Sequence, residues 1–134
     1  MSEFTVDPVI QKLTYQLADW PLSRVFLYND SRYQWGLLVP RRPGAIEMCD
    51  LVPEDQAKLM AEIVKLSGLI RPLPGVEKLN VGNLGNMVPQ LHVHVVGRTK
   101  GDPAWPGPVW GHSDPKPWPT PAEAPLSRAV SDSH

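Results

Sequence analysis

The sequence predicts a single domain of the α+β class. Three stretches carry that prediction: a long amphipathic run at 53–70, a pair of strand-forming runs at 24–28 and 33–39, and a strictly alternating run at 90–96, Gln-Leu-His-Val-His-Val-Val. Apolar residues recurring at the helical period mark the first, and a period of two marks the strands. A chain of 134 residues is long enough to bury one core and too short for two.

The elements follow in order. Residues 8–17 are expected to form a short helix after Asp7, with Pro8 suited to the first helical position and Val9, Leu13 and Leu17 four residues apart. Arg24 to Tyr28 is rich in strand formers, Asn29-Asp30-Ser31 reads as a turn, and Tyr33 to Val39 reads as the returning strand, ended by Pro40 to Gly44. Pro53 opens the long helix, and Glu54 and Asp55 suit the positive end of its dipole. Gln56, Leu59, Ile63 and Leu66 follow an approximate helical stripe, joined by Met60 and Ile70, and Pro72 and Pro74 forbid its continuation. Glu77 to Val81 reads as a strand and Gly82 to Asn86 as a loop. The alternating run at 90–96 closes the domain.

From Gly101 the composition shifts: eight of the sixteen prolines and three of the five tryptophans fall in residues 101–134. The expected organisation is a domain at 1–100 and an extended tail at 101–134. The tail packs on the domain through Trp105, Trp110 and Trp118, because buried indoles contribute large apolar area, and is disordered from Ser127 to His134.

Charge narrows the partners. Thirteen Lys and Arg against fourteen Asp and Glu give a net charge of −1. That balance lacks the concentrated basic surface needed for nucleic acid or an anionic membrane. No apolar run is long enough to span a bilayer. Met1 to Val6 carry Glu3 and no basic-then-apolar targeting pattern. The single Cys49 cannot form an internal disulfide, so a cytoplasmic location is expected.

The chemistry concentrates in the last strand. Leu91, Val93 and Val95 point to one face, while Gln90, His92, His94 and Val96 point to the other. Two imidazoles about 7 Å apart along one face can hold a phosphate between them. A neutral imidazole is a nucleophile near physiological pH, and a phospho-histidine intermediate splits one hard step into two easier ones. The glycine-containing loop at 82–86 offers N–H groups for an anion. Three readings fit the His-x-His pair: two partly exposed strand histidines, a metal site using His92 and His94, or phosphoryl and nucleotidyl transfer. The metal reading needs further ligands, and Cys49, Asp102 and His112 stand at no convincing spacing. Arg98, just past the strand, lies nearer the phosphate end than Arg41 and Arg42.

The run Gln90-Leu-His-Val-His-Val-Val resembles the histidine triad motif, in which His alternates three times with apolar residues and two apolar residues follow. Leu37-Leu-Val-Pro-Arg-Arg-Pro resembles that family's second-strand segment, and Leu51-Val-Pro-Glu-Asp-Gln-Ala-Lys-Leu its entrance to the main helix. The resemblance covers most of residues 10–100. It implies an antiparallel sheet of about five strands with two helices on one face, often paired as a homodimer. It also implies hydrolysis or transfer at the α-phosphate of nucleotide conjugates, either phosphoramidates or dinucleoside polyphosphates, without a metal or other cofactor. On that pattern His92 is the nucleophile and His94 contacts the phosphate. Asn29 or Asp30 matches the ribose contact, and Asn80 a polar partner before the loop. Gly85 and Asn86 lie by the α-phosphate.

Two positions depart from the pattern. Gln90 replaces the first motif histidine, and an amide cannot exchange a proton usefully. Met87 stands where a small hydroxyl residue sits near the leaving group, and a thioether is only a weak acceptor. The expectation is an enzyme acting on a small nucleotide substrate through His92, His94 and Gln90. The alternative is a nucleotide-binding module with weak catalysis. Trp20 and Trp35 are expected in the core, His112 at the surface, and Cys49 as a buried or inert thiol.

Overall fold

The computed structural model describes residues 4–133. In chain order the elements are α1 (Pro8–Leu13), β1 (Thr14–Asp19), β2 (Ser23–Tyr28), β3 (Gln34–Pro40), α2 (Pro53–Ile70), β4 (Lys78–Gly82), β5 (Val93–Arg98) and α3 (Pro125–Ser131). The five strands form one antiparallel sheet in the order β1-β2-β3-β5-β4. No helix among the described residues is long and apolar enough to cross a membrane.

Two helices, α2 and α3, cover one face of the sheet. Leu59, Ile63, Leu66 and Ile70 of α2 meet Val25, Leu27, Leu38, Val93 and Val95 of the strands, joined by Leu126 and Val130 of α3. Leu59, Ile63, Leu66 and Ile70 of the predicted α2 stripe are buried, whereas Gln56 and Met60 are exposed. Glu62 is also buried, and its carboxylate accepts the N–H groups of Leu22 and Ser23 at 2.8 and 3.0 Å. Thus α2 holds the turn between β1 and β2 by a charge-assisted bond as well as by apolar contact.

Three sequence expectations change. The helix expected over 8–17 stops at Leu13, and the chain becomes β1. Val9 lies exposed and Ile10 is the buried residue of α1. A six-residue helix has little stability of its own, whereas Thr14 to Asp19 gain a ladder against β2, interrupted only by a register shift between Gln16 and Ala18. Similarly, the ladder of β5 begins at Val93 rather than Gln90 and runs on to Arg98. The tail end is ordered as far as Ser133: α3 buries Leu126, Ser127 and Val130 against the domain, and only His134 lies outside the described residues. Apolar burial of Leu126 and Val130 outweighs the polar composition that suggested disorder.

The opposite face carries the residues of interest. Ile10 of α1 packs there with Phe26, Leu37 and Val39. Tyr33, Trp35 and Val96 meet Ala104 and Val109 of the segment after β5.

Candidate active site

Central β5 places His94. Flanked by β3 and β4, the strand is buried along its whole length. His94 pairs with Leu37 and Val96 with Trp35, so Trp35 and His94 are diagonal neighbours on one face. His92 stands one residue before the ladder, in a segment fixed by the Leu91 N–H donating to the Ala45 carbonyl. The two rings lie 5.1 Å apart, edge to face, and both are largely buried.

Hydrogen bonds assign opposite roles to the two imidazoles. Nδ1 of His92 lies 2.6 Å from the Gln90 carbonyl oxygen. A carbonyl only accepts, so Nδ1 carries the proton and Nε2 of the neutral ring keeps a free lone pair. At His94 the arrangement is reversed. The Trp35 indole donates to Nδ1 at 3.0 Å, and an indole N–H only donates, so the proton of His94 sits on Nε2. Burial, with the neighbouring charge of His92, pushes His94 down to about 3, so this ring is neutral at physiological pH.

Both histidines line a cavity of about 520 Å³. One wall is aromatic: Tyr28 stacks on Trp35 at 4.1 Å, and Trp110 stands edge-on to His94 at 5.6 Å. Another wall is the loop after β4, from Leu84 to Val88. Gly85 turns this loop with φ +65°, a conformation L side chains rarely adopt.

Two polar clasps bring the Trp110 segment into place. Arg98 forms a two-pronged pair with Asp102 at 2.8 and 2.9 Å, with exposures of 1 % and 4 %. Its remaining Nη1 donates to Asn80 Oδ1, and its guanidinium lies over the Trp105 ring. Burial works to raise the Asp102 carboxyl, but the Arg98 bonds and charge, with the N–H groups of Thr99 and Trp105, hold it below the usual range. In the second clasp Asp30 accepts two bonds from the Arg32 guanidinium, which also donates to Ser113 Oγ and the Asp114 carbonyl.

Of the residues expected from sequence, Asp30, Gly85, Asn86, Met87, His92 and His94 meet around the cavity. Four do not line it. The Gln90 side chain turns away and holds the N-terminal segment, accepting from the Asp7 N–H and donating to the Thr5 carbonyl. This follows from β5 starting later: Gln90 is outside the ladder and does not share the face of His94. Asn29 accepts from the Trp118 N–H, Asn80 accepts from Arg98, and Arg98 is further committed to Asp102. Arg41 and Arg42 are tied to Asp19 and Asp55. His112 is exposed as expected, and Cys49 is exposed, which removes the buried half of the expectation of a buried or inert thiol. Among the described residues no three His, Cys, Asp or Glu side chains are grouped so as to hold a metal ion.

Sequence reasoning missed Trp35, Tyr28 and Trp110 as parts of the site. Their contribution depends on the β3–β5 register and on the tail's path, neither of which leaves a local signal.

Residues 11–101 match the HIT domain family. Solved histidine triad proteins share the fold over nearly the whole chain. One from Bradyrhizobium japonicum is 40 % identical, with a TM-score of 0.92, over 98 % of each chain. One from Sinorhizobium meliloti 1021 is 38 % identical, with a TM-score of 0.92, over 98 % of this chain and 97 % of that one. A third, from Marinobacter aquaeolei VT8, is 40 % identical, with a TM-score of 0.92, over 98 % of this chain and 96 % of that one. The shared length therefore includes most of the Pro- and Trp-rich tail. A search of curated protein sequences finds no match.

Proposed function

This chain belongs to the histidine triad family, and from that premise we propose that it hydrolyses or transfers at the α-phosphate of nucleotide conjugates, with His92 as nucleophile. The observation that carries the reading is the Nε2 lone pair of His92, left free beside the cavity by the bond from Nδ1 to the Gln90 carbonyl. Nε2 attacks phosphorus, an N–P bond forms, and the bond to the leaving group breaks with its electron pair, the leaving group taking a proton from water. A second water then attacks the nucleotidyl-His92, cleaving the N–P bond and restoring the imidazole. His94 offers its Nε2–H to a phosphoryl oxygen, and Asn86 and the Gly85 N–H stand by the same group. Of the two ribose candidates Asp30 is the one that lines the cavity, where its carboxylate is already paired with Arg32. Phosphoramidates and dinucleoside polyphosphates are the substrate classes to test.

Intact-protein mass spectrometry during turnover of adenylyl and guanylyl conjugates tests this directly. The expected result is a transient adduct of one nucleoside monophosphate, absent in His92→Ala along with product formation. Normal turnover by His92→Ala sinks the assignment.

A binding module with little catalysis is the second reading. It is favoured by Met87, which is 94 % exposed at the cavity where it can give a leaving group no proton. Nucleotide binding without adduct or product would select it. We further propose that two copies pair, using the exposed Val52, Met60 and Val64 on and beside α2, and that the protein works in the cytoplasm. Light scattering that gives the mass of one chain removes the pairing.

A further inference from the structure

The tautomer of a histidine is set by what its other nitrogen meets. Most partners leave the choice open, because hydroxyls, amides and waters both donate and accept. Trp35 is different. Its indole N–H has no acceptor function and no accessible protonation change, and it points at His94 Nδ1 from 3.0 Å. The ring cannot escape this partner easily. It sits edge-on to Trp35, Trp110 and His92, with centroids at 5.7, 5.6 and 5.1 Å. Trp35 is itself held by stacking on Tyr28 and by its own burial.

We propose that Trp35 is a positioning residue that locks His94 as the Nε2–H donor, so that a phosphoryl oxygen meets a fixed donor beside the fixed lone pair of His92. This rests on the nucleotidyl-transfer reading for its catalytic consequence, though not for the tautomer itself. A donor already oriented in a water-poor site needs no reorganisation when charge develops on the phosphoryl oxygens. His94 in the other tautomer would present a lone pair to that oxygen, and the two would repel. The deep acid shift of His94 means that protonation does not supply the donor near neutral pH. The neutral ring supplies it through Nε2–H, and the indole fixes that tautomer.

Nitrogen-15 NMR of the histidine rings in the ligand-free protein distinguishes the two tautomers. Wild type is expected to show His94 almost wholly as Nε2–H. Trp35→Phe keeps an aromatic ring on Tyr28 and removes the donor; it is expected to populate Nδ1–H. With adenosine 5′-phosphoramidate as substrate, kcat should fall about 10–100-fold, with KM changed by less than about threefold. If Trp35→Phe fails to fold, benzothienylalanine at position 35 removes only the N–H from an otherwise similar bicycle and is read in the same way. An unchanged His94 tautomer in the variant, or a shifted tautomer with unchanged kcat, overturns the proposal. Wild-type protein inactive on every nucleotidyl conjugate would instead remove the functional reading, and the nitrogen shifts would still decide what Trp35 does to His94.

Discussion

At the scale of single residues, one backbone carbonyl and one indole set opposite tautomers in the two imidazoles. Gln90 takes part in this only through its main chain. Its side chain makes two hydrogen bonds to residues 5 and 7, far from His94. Replacing it should therefore affect folding more than chemistry. Gln90→Ala loses two bonds worth about 0.5–1.5 kcal/mol each, while the Gln90 carbonyl still accepts from His92. Urea denaturation should record about 1–3 kcal/mol of lost stability, with kcat within about twofold of wild type. A loss of kcat much larger than that, in a folded variant, would return the Gln90 amide to the catalytic machinery. The motif strand announces the two histidines plainly, but the departure of Gln90 from their face is not local. It depends on where the ladder with β3 begins, and that is decided by partners far away in sequence.

Elements were legible to the extent that their own residues decide them. The long helix α2 runs from Pro53 to Ile70, as its proline punctuation and apolar period indicate. The hairpin of β2 and β3 was equally clear. By contrast, β1 exists because β2 offers it a ladder, and α3 because the domain offers Leu126 and Val130 a core; neither competition is visible in a short window. The contact of α2 with the sheet is another case. Gly97 in β5 faces the end of this helix. A Cβ there would lie 2.8 Å from Ile70 Cγ2 and 2.8 Å from Val76 Cγ2. Both neighbours are β-branched and have few alternative rotamers. Gly97→Ala is thus expected to overpack this junction and cost about 1–3 kcal/mol in urea or thermal denaturation. Because Gly97 is three residues from His94 on the other face of the sheet, catalysis by the folded fraction should be nearly normal. A variant as stable as wild type would show that α2 can withdraw from β5 without penalty.

For the whole molecule, the tail completes the site instead of merely lying on it. The Arg98–Asp102 and Asp30–Arg32 clasps carry Trp110 over His94. That cover is part of the burial that drives His94 down to about 3. Folding and protonation are therefore linked. The unfolded chain takes up this proton near the ordinary value of about 6.5, whereas the folded protein does so only near 3. Unfolding is then favoured by acid: the contribution is intact above about pH 6.5 and declines by up to about 1.4 kcal/mol per pH unit below it. Trp110→Ala opens the cover while leaving both clasps in place. The His94 midpoint, followed by NMR, should rise from about 3 toward its ordinary value, and the stability lost between pH 7 and pH 4.5 should shrink relative to wild type. The sign separates this from simple loosening of the fold, which would lower stability at both pH values without moving the titration. A His94 midpoint unmoved by Trp110→Ala would assign the burial to Trp35 and the strand alone, and would leave the tail as a wall for substrate with no influence on the histidine.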